Sequence, residues 1–356
     1  MKKKILFTGG GTGGHVYPAL AIIEKLNRDE VDIIWLGSSK GMEKKIVDAV
    51  GIPFYSIPCG KMRRYFSWQN FTDVFKIIGG FFVSLYYLMK LKPSLVFSKG
   101  GFVTVPPVAA ASLLKIPVFT HDSDIGPGLA TRINAISADR ILVSSEKSRN
   151  YFSDKKNKKV YVTGNPVRGD ISRGDSEKGR DIINLKKDKP VILIMGGSLG
   201  AEQLNTLVYD NMEFLCNKYF VIHQTGERNY TKKVLPGYYS VPYFDDELPH
   251  ILAICDLVIS RAGASAVWEF ASVELPSILI PLESGSRGEQ VKNAEVFQEH
   301  GCSIVLRGDI SSETFMDSIE NIMDNKDKLS KMKEAAAQIA KMDSALIIKD
   351  MIEEVV

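Results

Sequence analysis

Five glycines fall within six positions after the first apolar run, in Gly9-Gly10-Gly11-Thr12-Gly13-Gly14-His15. Glycine lets the backbone approach a ligand closely, and N–H groups at a helix N-terminus attract an anion. The loop also fits the pattern GxGxxG, but a dinucleotide site needs an acidic residue after the second strand, where this chain has Gly37-Ser38-Ser39. We therefore expect a phosphate-binding loop rather than an NAD site, with a turn that binds nothing as the alternative.

A second glycine-rich loop, Gly196-Gly197-Ser198, follows another apolar run in the second half of the chain. Two such loops at the carboxyl ends of two parallel sheets would face each other across a cleft and could bind a diphosphate. Neither loop continues into the lysine of a P-loop, which disfavours an ATPase.

Polar residues at two further strand ends indicate that the second half binds the nucleotide. Arg261-Ala262-Gly263 leads into a predicted helix that carries Glu269, and residues 283–290 form a polar stretch before another helix. A carboxylate can accept hydrogen bonds from both hydroxyls of a ribose. The alternative for Glu269 is an ordinary solvent-exposed helix residue.

Short apolar runs alternate with helical patterns along almost the whole chain, which is typical of parallel sheets with crossover helices. Strands are predicted at residues 4–8, 33–36, 53–57, 95–98, 118–121, 140–144 and 160–162, and then at 191–195, 220–223, 257–260, 277–280 and 303–306. Predicted helices include one after Gly14 with Pro18 in its first turn, and the stretches 42–50, 201–216 and 328–356.

A chain of 356 residues is too long for one ordinary core, so two Rossmann-like α/β domains are expected. The segment Gly164-Asn165-Pro166-Val167-Arg168 favours a turn between them. We predict an N-terminal domain at residues 1–163, a hinge at 164–168 and a C-terminal domain at 169–338. A last helix at 339–356 would reach back over the N-terminal domain.

The charge and cysteine content exclude some classes of protein. Lys plus Arg is 45 and Asp plus Glu is 42, a net charge of +3, which is too balanced for nucleic acid to be the main partner. The four cysteines lie far apart and form no CxxC pair, so neither a zinc site nor a disulfide framework is expected. We expect a cytoplasmic protein with no membrane-spanning segment.

Five motifs together resemble glycosyltransferase family 28, the MurG family. They are Gly-Gly-Gly-Thr-Gly-Gly-His-Val-Tyr-Pro-Ala-Leu-Ala (9–21), Ser-Lys-Gly-Gly-Phe-Val (98–103), Gly-Asn-Pro-Val-Arg (164–168), Gly-Gly-Ser-Leu-Gly-Ala (196–201) and Ser-Arg-Ala-Gly-Ala (260–264). The resemblance implies a GT-B fold and inverting transfer of N-acetylglucosamine from UDP-GlcNAc without a cofactor. The acceptor it implies is the undecaprenyl-linked lipid I, converted to lipid II in peptidoglycan synthesis at the inner face of the cell membrane.

The resemblance also implies roles for individual residues. Thr12, Gly13 and Gly14 would border the donor–acceptor cleft. The donor would be held by Arg168, by Ser198 at the diphosphate, by the backbone at Asp245 at the uracil, by Glu269 at the ribose and by Gln290 at the sugar. Two motifs depart from the family's best-known members, which read His-Glu-Gln-Asn at His121-Asp122-Ser123-Asp124 and two glutamines at Glu289-Gln290.

Inverting transfer needs a base beside the first glycine loop, because the acceptor hydroxyl must lose its proton. His15 at the start of a predicted helix is the expected base, since the positive end of a helix favours a neutral imidazole. Asp122, at the end of another strand of the first domain, is the rival. Asp122-Ser123-Asp124 also spells DxD, a metal-binding motif in another transferase fold, but we expect no metal here.

A basic and aromatic segment precedes a long apolar one between residues 61 and 90. Lys61, Arg63 and Arg64 come before Trp68, Phe71, Phe75, Ile78 and Phe82, which share one helical stripe. We expect Arg63, Arg64, Trp68, Phe71 and Phe75 to contact anionic lipid, and residues 77–89 to pack into the first domain. A stripe that packs entirely into the core is the alternative.

Three other functions stay open on sequence alone. A related transferase could glycosylate diacylglycerol, and a sugar-nucleotide epimerase could use the same two-domain fold. A sugar-nucleotide-binding scaffold is a non-enzymatic alternative, although both predicted domains carry complete loops.

Overall fold

The computed structural model describes residues 2–60, 68–185, 189–197, 200–230, 233, 235–284 and 288–356, with only the backbone described at 68–72. The chain forms two compact units. The first comprises Met1–Val167 and Met342–Val356, and the second comprises Arg168–Lys341.

The first unit is built on a parallel sheet with, among its described residues, the strand order β3-β2-β1-β4-β5-β6-β7. Its strands are β1 (Lys3–Thr8), β2 (Val31–Ser38), β3 (Phe54–Ile57), β4 (Leu95–Ser98), β5 (Val118–Asp122), β6 (Arg140–Val143) and β7 (Val160–Val162). Most of these strands are continuous apolar runs because helices cover both faces of the sheet. All seven predicted strands of this half are confirmed, with ends that move by at most two residues.

Helices of the first unit cover this sheet. They are α1 (Tyr17–Lys25), α2 (Met42–Ala49), α3 (Trp68–Leu91), α4 (Val105–Leu113), α5 (Leu129–Asn134), α6 (Asp154–Asn157) and, from the far end of the chain, α15 (Ser344–Glu353). The predicted helix over 42–50 is confirmed, and Gly51 follows it with a φ of 70°, which glycine adopts readily. On α15, Ile348 and Ile352 are buried in the same apolar cluster as Ile22 of α1.

The second unit contains a parallel sheet with the order β10-β9-β8-β11-β12-β13 over its described residues. The strands are β8 (Val191–Met195), β9 (Phe220–Gln224), β10 (Tyr238–Val241), β11 (Leu257–Ser260), β12 (Ser277–Leu279) and β13 (Ser303–Val305). The helices are α7 (Ser176–Ile182), α8 (Glu202–Asp210), α9 (Met212–Lys218), α10 (Leu248–Leu252), α11 (Ala264–Ser272), α12 (Glu289–Glu299), α13 (Ser312–Met323) and α14 (Lys326–Ala340).

Two predicted helices are each divided in the structure. The helix predicted over 201–216 breaks between α8 and α9 at Asn211, whose side-chain amide donates to the carbonyl of Leu207 at 2.8 Å. The helix predicted over 328–356 breaks between α14 and α15, where Asp343 caps α15 by accepting from the N–H of Leu346 at 3.0 Å. The two predictions of a single long helix were wrong, because at each break a side chain forms a hydrogen bond with the backbone.

Candidate functional site

Both units place their glycine-rich loop at the point where the strand order reverses. In the first unit the reversal lies between β1 and β4, and in the second it lies between β8 and β11. Ligands of open parallel sheets bind beyond the carboxyl ends of the strands at this point. The loops after β1, β4, β8 and β11 are therefore the parts of each unit best placed to bind a ligand.

A buried carboxylate lies beneath the first glycine loop. Glu43, from the first turn of α2, is fully buried and accepts hydrogen bonds from the N–H of Gly11 at 3.2 Å and the N–H of Ser38 at 3.1 Å. A Cβ added at Gly10 would lie 2.6 Å from the Glu43 carboxyl group, so a larger residue there would force the Glu43 side chain to move. Glu43 was not among the predicted site residues; it stabilises the shape of the loop and occupies the N–H of Gly11.

His15 lies in the short 3-10 turn Gly13–His15 that links the loop to α1, and it is half-buried. Its Nδ1 is 3.0 Å from the carbonyl oxygen of Gly10 and 3.0 Å from the hydroxyl of Thr12. Because a carbonyl only accepts, this contact assigns the proton to Nδ1 and leaves the lone pair on Nε2. Burial, followed by the charge of Lys99, lowers the pKa of His15, so the imidazole is neutral at pH 7 and can accept a proton.

Asp122 is the last residue of β5 and is almost completely buried. One carboxylate oxygen accepts from the N–H of Asp124 at 3.1 Å and the other from the N–H of Gly128 at 3.0 Å. Both carboxylate oxygens therefore stabilise the turn between β5 and α5. The structure also places an electrostatic interaction between Asp122 and His15, so the two candidate bases belong to one cluster.

The second unit brings Arg168 and Glu269 together. The Nε of Arg168 lies 3.5 Å from a carboxylate oxygen of Glu269 on α11, and its Nη1 lies 3.5 Å from Asp170. Burial raises the pKa of the Glu269 carboxyl to about 7, although Arg168 opposes the shift. A carboxyl group that is buried and faces a guanidinium is well suited to hold a hydroxylated ligand.

The other predicted donor residues of the second unit make local contacts. The side-chain oxygen of Gln290, at the start of α12, accepts from the N–H of Leu282 at 2.8 Å. The N–H of Asp245, the predicted uracil contact, donates to the carboxylate of Glu247 at 3.2 Å on the surface. Arg261, in the loop after β11, donates to Gln203 at 3.0 Å and to the carbonyl of Ile280 at 2.9 Å, which connects the ends of β11 and β12 with the start of α8.

Several predicted site residues lie outside the described part of the chain. Ser198, Arg63 and Arg64 are not described, and only the backbone is described at Trp68 and Phe71. Their predicted roles at the diphosphate and at a lipid surface stay predictions.

The helix α3 has one buried and one exposed face. Asp73, Gly80, Ser84 and Leu88 lie on the buried face, and a Cβ added at Gly80 would meet the carbonyl oxygen of Pro58 at 2.3 Å. The opposite face carries an apolar stripe that we call the α3 stripe, formed by Phe75, Ile78, Phe82, Tyr86 and Met89. The expectation that residues 77–89 pack into the domain was therefore right for only one face.

The same helix is long and apolar enough to cross a membrane, by length and composition only. The stretch Asp73–Leu91 has 19 residues and a mean hydropathy of 1.5. The expectation that no stretch would reach this length and hydropathy was wrong, whereas the expectation that no segment spans a membrane stays a prediction. The buried face of α3 packs on its own domain, however, and core helices of soluble proteins pass the same test.

Two parallel α/β units, each with a glycine-rich loop at its reversal point, define the GT-B class of glycosyltransferase fold. Glycosyltransferase family 28 N-terminal and C-terminal domain models match residues 5–143 and 191–351. The chain therefore belongs to glycosyltransferase family 28, as the sequence motifs predicted.

Relatives and solved structures agree with this assignment. Proteins of Treponema denticola and Clostridium perfringens are 45% and 44% identical to this chain, over 99% and 94% of it and 97% and 94% of their own lengths. Both are named UDP-N-acetylglucosamine--N-acetylmuramyl-(pentapeptide) pyrophosphoryl-undecaprenol N-acetylglucosamine transferase.

The crystal structure of Acinetobacter baumannii MurG shares the fold with a TM-score of 0.75 at 24% identity, over 99% of both chains. A UDP-GlcNAc 2-epimerase from Neisseria meningitidis shares it with a TM-score of 0.70 at 14% identity, over 99% of this chain and 100% of the other. The predicted GT-B fold is confirmed, and the fold alone does not separate a transferase from an epimerase.

Proposed function

We propose that this chain transfers N-acetylglucosamine from UDP-GlcNAc to the muramyl C4 hydroxyl of lipid I, which gives lipid II for peptidoglycan synthesis. The observation that carries the proposal is the 45% identity, over almost the whole of both chains, to a protein named for that transfer. Proteins of one fold differ in substrate because their site residues differ. Sequence identity along the full length includes the site residues, so it supports the proposed substrates more strongly than a shared fold does.

The cluster in the first unit supports a single inverting displacement. Nε2 of His15 takes the proton of the C4 hydroxyl while its oxygen forms a bond to the anomeric carbon, and the bond from that carbon to UDP breaks. UDP leaves with the electron pair of that bond. Asp122 orients the acceptor or the imidazole, because its carboxylate is fixed by two backbone N–H groups at the same strand edge.

The second unit supplies the donor contacts. The Glu269 carboxylate accepts from the ribose hydroxyls, and Arg168 offers a cation to the diphosphate. A positive side chain that faces developing negative charge on the leaving group stabilises the transition state. Gln290 contacts the sugar once its side chain releases the N–H of Leu282.

Incubation with UDP-GlcNAc and a polyprenyl diphosphate-linked muramyl acceptor tests the proposal. We expect a disaccharide on the lipid and one UDP per disaccharide. Formation of UDP-ManNAc without an acceptor would identify an epimerase, and transfer to diacylglycerol alone would identify the other transferase. Tight binding of the donor without turnover of any acceptor would identify a scaffold.

We also propose that the chain acts as a peripheral protein at the cytoplasmic face of the membrane, with the α3 stripe in contact with anionic lipid. Five large apolar side chains exposed on one helix face form the kind of patch that soluble monomers rarely leave uncovered. An acceptor with a polyprenyl tail remains in the bilayer, so its enzyme must come to the surface. The stripe lies parallel to the helix axis, as expected for a helix that rests in the interface.

A further inference from the structure

A lysine is completely buried beside the candidate bases. Lys99, the first residue after β4, has 0% of its surface exposed and is among the largest fully buried side chains. Lysine is almost never fully buried unless its charge has a partner. Its Nζ donates to the hydroxyl of Ser123 at 2.6 Å, and that hydroxyl donates to the side-chain oxygen of Asn165 at 2.6 Å.

The backbone around Lys99 packs directly on the loop that carries His15. The N–H of Lys99 donates to the carbonyl of Thr8 at the end of β1, at 2.8 Å. A Cβ added at Gly101 would lie 3.1 Å from Nδ1 of His15, and one at Gly100 would lie 3.5 Å from its Cδ2. The two glycines after Lys99 thus bring its strand end against the imidazole.

Several charged residues surround Lys99 and His15. Asp122 and Asp124 both stabilise the ammonium of Lys99, and Lys99 in turn disfavours a positive charge on His121 and on His15. Asp122 acts on His15 in the opposite direction, as does Glu43. Burial outweighs the effect of the two aspartates and lowers the pKa of Lys99 to about 8. The amine is therefore still mostly protonated at pH 7.

We propose that Lys99 is a positioning residue for the transfer, whose buried ammonium adds to burial in disfavouring a positive charge on His15 and, through Ser123, holds the turn that follows Asp122. The inference rests on the proposed function only for the use of His15 as the base. A second positive charge beside a buried cation is disfavoured, so the ammonium opposes protonation of His15. The hydrogen bond to Ser123 connects the end of β4 with the end of β5.

Three substitutions separate the charge of Lys99 from its hydrogen bond. Lys99→Met removes both, and Lys99→Gln removes the charge while it keeps a donor for Ser123. Ser123→Ala removes the hydrogen bond and keeps the charge. In both Lys99 variants the pKa of His15 should rise by about 1 unit, a typical effect of removing one nearby like charge. In Ser123→Ala it should stay at the wild-type value, with a lower kcat.

Nuclear magnetic resonance titration of the imidazole ring measures the pKa of His15 directly, and the chain has five histidines to resolve. Loss of one signal in His15→Gln assigns it. The acid limb of the kcat profile should move to higher pH by the same amount in the Lys99 variants. Lys155→Met on α6, which removes an exposed ammonium, is the matched control and should leave both readouts unchanged.

An unchanged pKa of His15 in a folded Lys99→Met or Lys99→Gln protein would overturn the proposal, as would an equal shift in Ser123→Ala. Lys99→Arg keeps the charge and should keep the wild-type titration if it folds. The titration needs no substrate. A protein that lacks transferase activity but shows the shift would therefore refute the proposed function and not the coupling between Lys99 and His15.

Discussion

Removing two aromatic side chains from the α3 stripe should abolish most binding to lipid vesicles and leave the fold intact. Phe75 and Phe82 are each 62% exposed, so neither contributes its full area to the core. Complete burial of a phenylalanine side chain is worth about 1.5–3 kcal/mol, and the exposed share gives about 1–2 kcal/mol for each residue. The double variant Phe75→Ser with Phe82→Ser should therefore lose roughly 2–4 kcal/mol of contact with lipid.

That loss corresponds to a vesicle affinity lower by roughly 30-fold to several hundred-fold, since about 1.4 kcal/mol is tenfold. Co-sedimentation with vesicles of phosphatidylglycerol and phosphatidylcholine measures the affinity, and thermal unfolding checks the fold. Phe214→Ser on α9, which removes a side chain 45% exposed in the second unit, is the control and should bind like the wild type. Equal binding by the folded double variant would show that the stripe does not contact lipid, and unfolding of the variant would show that the stripe belongs to the core.

Four further predictions concern the sites and the core. Glu269→Ala should weaken UDP and UDP-GlcNAc alike by roughly 10- to 100-fold, and Gln290→Ala should weaken only UDP-GlcNAc, as calorimetry can measure. Because the pKa of Glu269 is raised to about 7, UDP-GlcNAc affinity should fall below pH 7 in the wild type and not in Glu269→Ala. His15→Ala should lower kcat by at least ~10² with donor affinity little changed; loss of the acid limb in Asp122→Ala alone would instead make Asp122 the base. Burial lowers the pKa of His223 from 6.5 to about 4, so the unfolded chain binds more protons and stability falls as pH drops through that window. Urea unfolding should show a loss of roughly 3 kcal/mol from this residue near pH 4, absent in His223→Gln.

Most of the fold could be predicted because buried parallel strands are apolar on both faces and leave a plain signal. The strand β10 was missed because its apolar run is short and Tyr239 and Ser240 within it are only half-buried.

The glycine-rich loops of the candidate site could be predicted from the sequence, but its buried charged residues could not. Glu43 and Lys99 read as ordinary solvated residues in the sequence, yet each reaches a partner more than 20 positions away, Gly11 and Ser123 respectively. Such contacts depend on which strands become neighbours. The adjacency of β1 with β2 and of β4 with β5 follows from the crossover pattern and not from any local motif.

The return of α15 to the first unit affects how the chain folds during its synthesis. Ile348 and Ile352 complete an apolar cluster with β1 and α1, and Arg140 of β6 pairs with Glu354 at 2.7 Å. A ribosome that adds 5–20 residues per second needs roughly 10–35 s to make residues 168–341, which form the second unit. Throughout that time the part of α1 that α15 covers remains exposed, so the first unit is synthesised early but its core is completed last.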